Sequence, residues 1–356
     1  MDSNVKPKLS IFSPSHYSAP LNYVSLFNLI DIAQKEKRLE VIISDNSNDP
    51  EKNKLFDAFK SDNIKIIKGP KKENYYNALK HTSGDFVLAC GDDDLIFTPG
   101  LNVLLSKIDQ GFQSKSIDSP DFVGWTGLFA NRKKYTTDIF EYNNFSSNLI
   151  YERTINWLKF ISKGNPMFHS VIRRDIALKA WDFWRSIPHP QHCDDQLMTL
   201  FLCCSGSFDY VDQLYFIYNA NNWGDKDNII HSELKMWESN KESYPVSFIP
   251  LQRLALAIHG FYLIKKFDLC NSSEKPHSAL AWLSTWIGYW KNSWLSSYFE
   301  IPVIQRCQFF TKAKNLTIKY YNASQVSHSE LLRDISLIYD EFDGSGTSYR
   351  EFWTQL

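Results

Sequence analysis

The regular alternation of apolar runs with helical patterns over the first hundred residues is the feature that most limits how this chain can fold. The predicted strands are residues 8–13, 39–44, 63–68 and 85–90, and the predicted helices between them are residues 21–32, 51–60 and 74–82. Strands and helices that alternate at this spacing form βαβ units, so the sequence predicts a mostly parallel sheet flanked by helices. The first predicted helix carries apolar residues on roughly one side, namely Leu21, Val24, Phe27, Leu29 and Ile32.

Beyond residue 120 the alternation is less regular, although strands and helices are still predicted. The strands are 121–129, 167–173 and 208–218, and the helices are 151–162, 175–184 and 194–204. From about residue 233 the pattern is mainly helical and rich in aromatic residues. A chain of 356 residues is long enough for two domains of ordinary size. We therefore predict an α/β catalytic domain over residues 1–230 and a mainly helical region over residues 231–356.

Composition excludes several classes of protein. The formal net charge of −1 gives no overall attraction to nucleic acid, so no nucleic-acid partner is expected. The six cysteines contain no C-x-x-C pair, which argues against a zinc ribbon and favours buried thiols in a reducing compartment. The sequence shows no signal peptide and no apolar stretch of membrane-spanning length. We expect a cytoplasmic protein, with peripheral association at the inner face of the membrane left open.

Polar residues follow the predicted strands at the edge where ligands bind in open α/β sheets. The most distinctive of them form the run Gly91-Asp92-Asp93-Asp94 after the fourth strand. Three adjacent carboxylates are costly unless a cation neutralises them, and oxygen ligands suit Mg²⁺ or Mn²⁺. Such a cation can bridge a diphosphate as it leaves. The alternative is an exposed acidic turn before the next helix, and in either case we expect Asp94 to be exposed and to contribute little to the core.

A second acidic pair, Asp194-Asp195, opens a predicted helix. Carboxylates at a helix N-terminus stabilise it by about 0.3–1 kcal/mol each, so an isolated pair could serve that purpose alone. With His189 and His192 the pair could also form a metal cluster, although prolines on either side of His189 disfavour the helix that His-x-x-His spacing needs.

Several motifs over residues 8–100, taken in their order along the chain, resemble those of the large inverting glycosyltransferase family two. The resemblance lies in Ile11-Phe12-Ser13-Pro14-Ser15, Ser44-Asp45-Asn46-Ser47-Asn48-Asp49, Asn77, Gly84-Asp85-Phe86-Val87 and a D-x-D-like run at Asp92 to Asp94. Two positions depart from the family pattern. Tyr76 precedes Asn77 where the family often has arginine, and Gly91 stands where its first D-x-D aspartate usually falls. The acidic set is then either Asp92 and Asp94 or the pair Asp93-Asp94.

The resemblance implies a GT-A type fold with a mainly helical C-terminal extension, and it implies roles for single residues. Asp45 and Ser13 would contact the nucleobase. Asn77, Asp92 and Asp93 would complete the nucleotide-sugar site, with Mn²⁺ or Mg²⁺ held by Asp94 and Asp92. Asp195, beside Asp194, would be the general base.

The expected function is transfer of a sugar, with inversion and divalent-metal assistance, from a nucleotide-diphosphate sugar to a glycan or lipid-linked acceptor. Surface polysaccharide synthesis is the expected setting. A nucleotidyltransferase that uses the acidic run as its metal site, and a non-catalytic carbohydrate-binding protein of the same fold, remain open. An aromatic stripe near residues 279–299, which includes Trp282, could contact a lipid-linked acceptor or could pack in a core.

Overall fold

The computed structural model describes residues 7–16, 20–59, 61–70, 73–114, 116–119, 121–132, 137–141, 145–147, 149–160, 166–186 and 194–223, with seven single positions between 260 and 333. In these residues the strands are β1 (Leu9–Ser15), β2 (Leu39–Asp45), β3 (Ile64–Lys68), β4 (Phe86–Ala89), β5 (Leu95–Ile96), β6 (Phe122–Arg132), β7 (Thr137–Phe140), β8 (Val171–Arg173) and β9 (Ser207–Asn219). The helices are α1 (Pro20–Lys35), α2 (Pro50–Ala58), α3 (Asn74–Lys80), α4 (Thr98–Ser114), α5 (Ile150–Phe160), α6 (Arg174–Ser186) and α7 (Asp194–Ser205).

The strands form one mostly parallel sheet in the order β3-β2-β1-β4-β8-β6-β9-β5, with β7 paired to β6. β1 pairs in parallel with β2 and β4, and β2 pairs in parallel with β3. β8 runs antiparallel to both of its neighbours, β4 and β6. The predicted α/β architecture is therefore confirmed. In the β1–β2 register Ser15 lies opposite Asp45, so the polar ends of these strands are adjacent.

The chain divides into two compact units. The first comprises Met1–Asn148, Phe160–Asp182 and Ser205–Asn221 and carries the whole sheet. The second comprises Leu149–Lys159, Phe183–Cys204 and Asn222–Leu356. The predicted boundary near residue 230 lies outside the described residues, as does the region 231–356 apart from its single positions.

The core of the first unit is built from buried strands and from one stripe of each flanking helix. On α1 the stripe consists of Leu26, Leu29, Ile30 and Ala33, which follow the i, i+3, i+4, i+7 spacing of a buried helix face. The apolar side predicted for this helix is therefore wrong at two positions, whereas Leu29 and Ile32 are buried as predicted. Val24 and Phe27 are 52% and 45% exposed.

In the second unit, α5 contributes a buried aromatic contact. Trp157 stacks on Trp282 with ring centroids 5.1 Å apart, and both side chains are fully buried. Core packing is therefore the observed role of Trp282, while the rest of the aromatic stripe lies outside the described residues. Among the described residues, none of the helices is both long enough and apolar enough to span a membrane.

Candidate active site

The acidic run forms the turn between β4 and β5, and Asp94 fixes that turn. Its Oδ2 accepts a hydrogen bond from the Gly91 N–H at 3.1 Å, and its Oδ1 accepts one from the Asn219 N–H at 2.9 Å. Asp94 is 2% exposed, so the expectation that it lies exposed is wrong. The reason is β9, which pairs with β5 and brings Asn219 against the turn.

Gly91 is required for this arrangement of carboxylates. A Cβ at this position would lie 2.7 Å from Asp94 Oδ2 and 3.2 Å from Asp93 Oδ1. A side chain here would displace one or both carboxylates. The structure places all three carboxylates, Asp92, Asp93 and Asp94, in this one turn.

Burial and mutual repulsion disfavour the charged forms of this cluster. Burial, followed by the charge of Asp93, raises the pKa of Asp94 to about 8. Burial also raises the pKa of Asp93, whose Oδ2 accepts a hydrogen bond from Asn219 Nδ2 at 2.9 Å. Asp93 is the most exposed of the three, since Asp92 and Asp94 are 8% and 2% exposed. A cation beside this turn would offset the repulsion, and Asp93 is the carboxylate best placed to meet a ligand from solvent.

On the other side of β1, Asp45 ends β2 and meets a buried lysine. Lys52 lies in the first turn of α2, which Asp49 caps by accepting a hydrogen bond from the Glu51 N–H. Lys52 Nζ lies 2.7 Å from Ser15 Oγ, 3.3 Å from Asp45 Oδ1 and 4.0 Å from Asp92 Oδ2. One ammonium group therefore joins the predicted nucleobase site to the acidic turn.

Lys52 was not predicted from the sequence. A lysine in the first turn of a helix opposes the helix dipole, which favours negative charge at that end. A cation placed there, seven residues after Asp45, is the signal that could have identified it.

The remaining predicted residues of the first unit support the strand ends. Asn77 Nδ2 donates to Ser44 Oγ at 2.8 Å, and Asn74 Nδ2 donates to the Ser44 carbonyl at 2.8 Å. Ser13 is fully buried, and its hydroxyl lies 3.5 Å from the Pro14 carbonyl oxygen. Contacts of Asn77 and Ser13 with a nucleotide stay predictions.

An aromatic cluster adjoins the acidic turn and was also missed. Tyr75 stacks on Trp181 at 5.7 Å between ring centroids and meets Phe12 and Phe168 edge-on. Burial, and then the charges of Asp94, Asp93 and Asp92, raise the pKa of Tyr75 well above its usual value. The negative charges of the acidic turn therefore disfavour ionisation of the Tyr75 hydroxyl.

The second acidic pair opens α7, as predicted, and belongs to the second unit. Asp195 is half-buried, and its carbonyl oxygen accepts a hydrogen bond from Thr199 Oγ1 at 2.8 Å. The side chain of Asp194 and the segment that contains His189 and His192 lie outside the described residues. Within the part of the chain that the structure describes, no three His, Cys, Asp or Glu side chains converge as a metal site.

The mostly parallel sheet flanked by helices, with an acidic turn directly after β4, has the α/β architecture of the GT-A type. Residues 24–181 match the model of glycosyl transferase family 2. The matched range includes Asp45, Lys52 and the acidic turn, whereas Ser13 precedes it and Asp195 follows it.

Solved structures show the same fold. The crystal structure of S. aureus TarS 1-349 has 16% identical residues and a TM-score of 0.55, covering 97% of this chain and 91% of that one. TarS 1-349 in complex with UDP-GlcNAc has 16% identical residues and a TM-score of 0.54, covering 88% of this chain and 89% of that one. A search of curated protein sequences found no match.

The raised pKa of Asp94 predicts how stability depends on pH when metal is removed. Because the folded state holds its proton up to about pH 8 and the unfolded state releases it near pH 4, stability falls as pH rises through this window. In EDTA, we expect the unfolding temperature to be at least about 2–4 °C lower at pH 8 than at pH 5. Asp94→Asn should flatten this dependence in a thermal melt. An equal slope in the variant would show that Asp94 is not its source.

Proposed function

We propose that this protein is a glycosyltransferase that moves a sugar from a nucleotide-diphosphate sugar to an acceptor hydroxyl with inversion at the anomeric carbon. One observation carries the proposal. In a glycosyl transferase family 2 domain, Asp45 and the acidic turn meet through Lys52 at the edge of the parallel sheet where ligands bind.

The nucleobase is assigned to Asp45. Its side chain is 9% exposed and ends β2, and a carboxylate there can accept a hydrogen bond from a ring N–H of the base. The complex of TarS 1-349 with UDP-GlcNAc supports a uridine diphosphate sugar as the donor. Ser13 lines the same strand edge, and Asn77 holds Ser44 beside Asp45.

The diphosphate is assigned to the acidic turn, with Mn²⁺ or Mg²⁺ bound there. Protein side chains alone do not complete a metal site in the described residues, but these ions commonly bind through one or two carboxylates together with substrate phosphates. The repulsion that raises the pKa of Asp94 fits such a cation. Asp92 and Asp94 are the proposed ligands, and we add Asp93 because it is the most exposed of the three. When bound, the ion supplies positive charge to the leaving diphosphate.

The acceptor is activated by Asp195. An acceptor hydroxyl is a poor nucleophile at neutral pH, and a positioned carboxylate that takes its proton during attack lowers the barrier. Asp195 lies at the start of α7, where the helix dipole favours the charged form that a base requires. Asp194 is the alternative member of this pair.

The proposed acceptor is a glycan or a lipid-linked saccharide in the synthesis of a polysaccharide. The proposed location is the cytoplasm, with peripheral contact to the inner face of the membrane when the acceptor is lipid-linked. Recovery of the acceptor-bound protein with vesicles that carry a lipid-linked saccharide, and not with plain vesicles, would support this location.

Asp45→Ala tests the nucleobase assignment. A thermal-shift screen of UDP, GDP, CDP and dTDP with Mn²⁺ would first identify the preferred nucleotide. We expect Asp45→Ala to weaken its binding by about 1–3 kcal/mol in calorimetry, because a hydrogen bond to a charged group is lost. Glu51→Ala, which removes a 68% exposed carboxylate from α2, should bind as the wild type does. Unchanged affinity in Asp45→Ala would place the base elsewhere.

A further inference from the structure

Asn219, the last residue of β9, joins that strand to the acidic turn. β9 pairs antiparallel with β5, which follows the turn directly, so the end of β9 passes beside the carboxylates. The Asn219 side chain is buried, and the residue is only 6% exposed. Its backbone N–H donates to Asp94 Oδ1 at 2.9 Å, and its Nδ2 donates to Asp93 Oδ2 at 2.9 Å. One residue of β9 therefore holds two neighbouring carboxylates of the proposed donor site.

The side-chain amide of Asn219 is itself held in one orientation. Its Oδ1 accepts hydrogen bonds from Asn221 Nδ2 at 2.7 Å and from the Asn221 N–H at 3.4 Å. The amide therefore presents its oxygen to the donors of Asn221 and its nitrogen to the carboxylate of Asp93. Rotating it by half a turn would lose the hydrogen bonds on both sides. The three side chains form an ordered series from Asn221 through Asn219 to Asp93.

This contact orients Asp93 and leaves it able to bind a cation. The hydrogen bond occupies one lone pair of Oδ2, and each oxygen of a carboxylate has two. Asn219 is neutral, so it does not supply the positive charge that a lysine or arginine would bring to the turn. Carboxylates that bind metal ions are in turn hydrogen-bonded by outer side chains, and loss of such a partner typically weakens metal binding about 10- to 100-fold.

We propose that Asn219 is a positioning residue that orients Asp93 for the metal ion, with Asn221 holding the Asn219 amide in place. The inference rests on the proposed function, because it takes Mn²⁺ or Mg²⁺ to bind at the acidic turn together with the donor diphosphate. Asn219 acts through Asp93 and binds neither the metal nor the donor itself.

The test measures the affinity for Mn²⁺ in the presence of UDP, so the result does not depend on turnover. Free Mn²⁺ is followed by electron paramagnetic resonance, and a titration without protein corrects for Mn²⁺ bound by UDP alone. Asn219→Ala removes the amide and should bind Mn²⁺ about 10- to 100-fold more weakly than the wild type. Asn221→Ala leaves Asn219 in place but frees its amide to rotate, so it should weaken Mn²⁺ binding less than Asn219→Ala does.

Asn63→Ala is the matched control. The side chain of Asn63 also joins separate segments, because its Nδ2 donates to the carbonyl oxygens of Ala33 at 2.6 Å and Leu39 at 3.1 Å. Asn63 precedes β3, whereas the acidic turn follows β4, so the two lie at opposite edges of the parallel strands. Asn63→Ala should lower the unfolding temperature and leave the affinity for Mn²⁺ unchanged.

Circular dichroism would show which variants are folded, and Asn219→Ser, whose side chain is too short to reach Asp93, provides a second replacement at this position. If the folded variants of Asn219 and Asn221 lost only thermal stability, as Asn63→Ala should, and bound Mn²⁺ as tightly as the wild type, Asn219 would be merely structural. That result would overturn the inference alone. Absence of Mn²⁺ binding by the wild type would overturn the proposed metal site as well.

Discussion

Replacing Asp195 with asparagine is expected to lower turnover by about 10²–10⁴-fold, the usual contribution of a general base. Asparagine keeps the size and polarity of the side chain but cannot take the proton from the acceptor hydroxyl. Affinity for the donor should be unchanged, because the proposed contact is with the acceptor. Steady-state rates at saturating donor, together with donor binding by calorimetry, measure the two effects separately.

Asp194→Asn is the matched comparison, since both residues lie in the first turn of α7. Removing either carboxylate should reduce helix stability by a similar, small amount of about 0.3–1 kcal/mol. A larger fall in turnover for Asp194→Asn than for Asp195→Asn would assign the base to Asp194. Lost donor binding in Asp195→Asn, with unchanged turnover per bound donor, would contradict a catalytic role altogether.

Replacing Asp93 with asparagine is expected to reduce turnover at least about 100-fold, because positive charge on a leaving diphosphate contributes several kcal/mol. The variant should fold normally, since an asparagine oxygen can still accept the hydrogen bond from Asn219 Nδ2. Excess EDTA should abolish turnover of the wild type, and added Mn²⁺ should restore it. The measurement is the rate of nucleoside diphosphate release against metal concentration.

Asp31→Asn provides the control for this experiment. Asp31 is a 54% exposed aspartate on α1 that pairs with Lys35, away from the acidic turn. Its replacement should change neither the rate nor the metal requirement. Full activity of the wild type in excess EDTA would exclude the proposed role of the metal, whatever the variants show.

Much of the sheet was predictable because its strands are apolar almost throughout. β1, β2, β3 and β4 were predicted to within about two residues at each end, and the rule that ligands bind at the carboxyl ends of parallel strands pointed to Asp45 and Asp92. The structure brings these two residues to either side of one ammonium group. These features were predictable because each depends on the residues of one short segment of the chain.

The parts that were missed depend on contacts between distant segments. β5 has two residues and forms by pairing with β9, and Asn219 of β9 is the group that buries Asp94. Neither the pairing of β5 with β9 nor the contact of Asn219 with Asp94 can be recognised from the residues around it in the sequence. The predicted strand over 167–173 was also too long, since Pro166–His169 forms a 3₁₀ turn and only Val171–Arg173 joins the sheet. Proline at the start of a helical turn is favourable because its φ is already set for it.

Lys52 was overlooked for a different reason. Charged residues in helices are most often solvated, and the one sequence signal, a lysine in the first turn of α2, does not by itself show that Lys52 is buried while Lys54 is exposed. Only the three-dimensional meeting of α2 with the ends of β1, β2 and β4 shows that one of these lysines is buried and the other is not.

Release of nucleoside diphosphate from a panel of nucleotide sugars, with Mn²⁺ present, tests the central claim most directly. The wild type should release UDP from at least one uridine diphosphate sugar. Asp93→Asn and Asp195→Asn should release it at least about 100-fold more slowly. Two results would contradict the assignment of this protein as a nucleotide-sugar glycosyltransferase. One is release at the same rate by all three proteins. The other is that the wild type releases no nucleoside diphosphate from any donor in the panel when acceptor glycans are supplied.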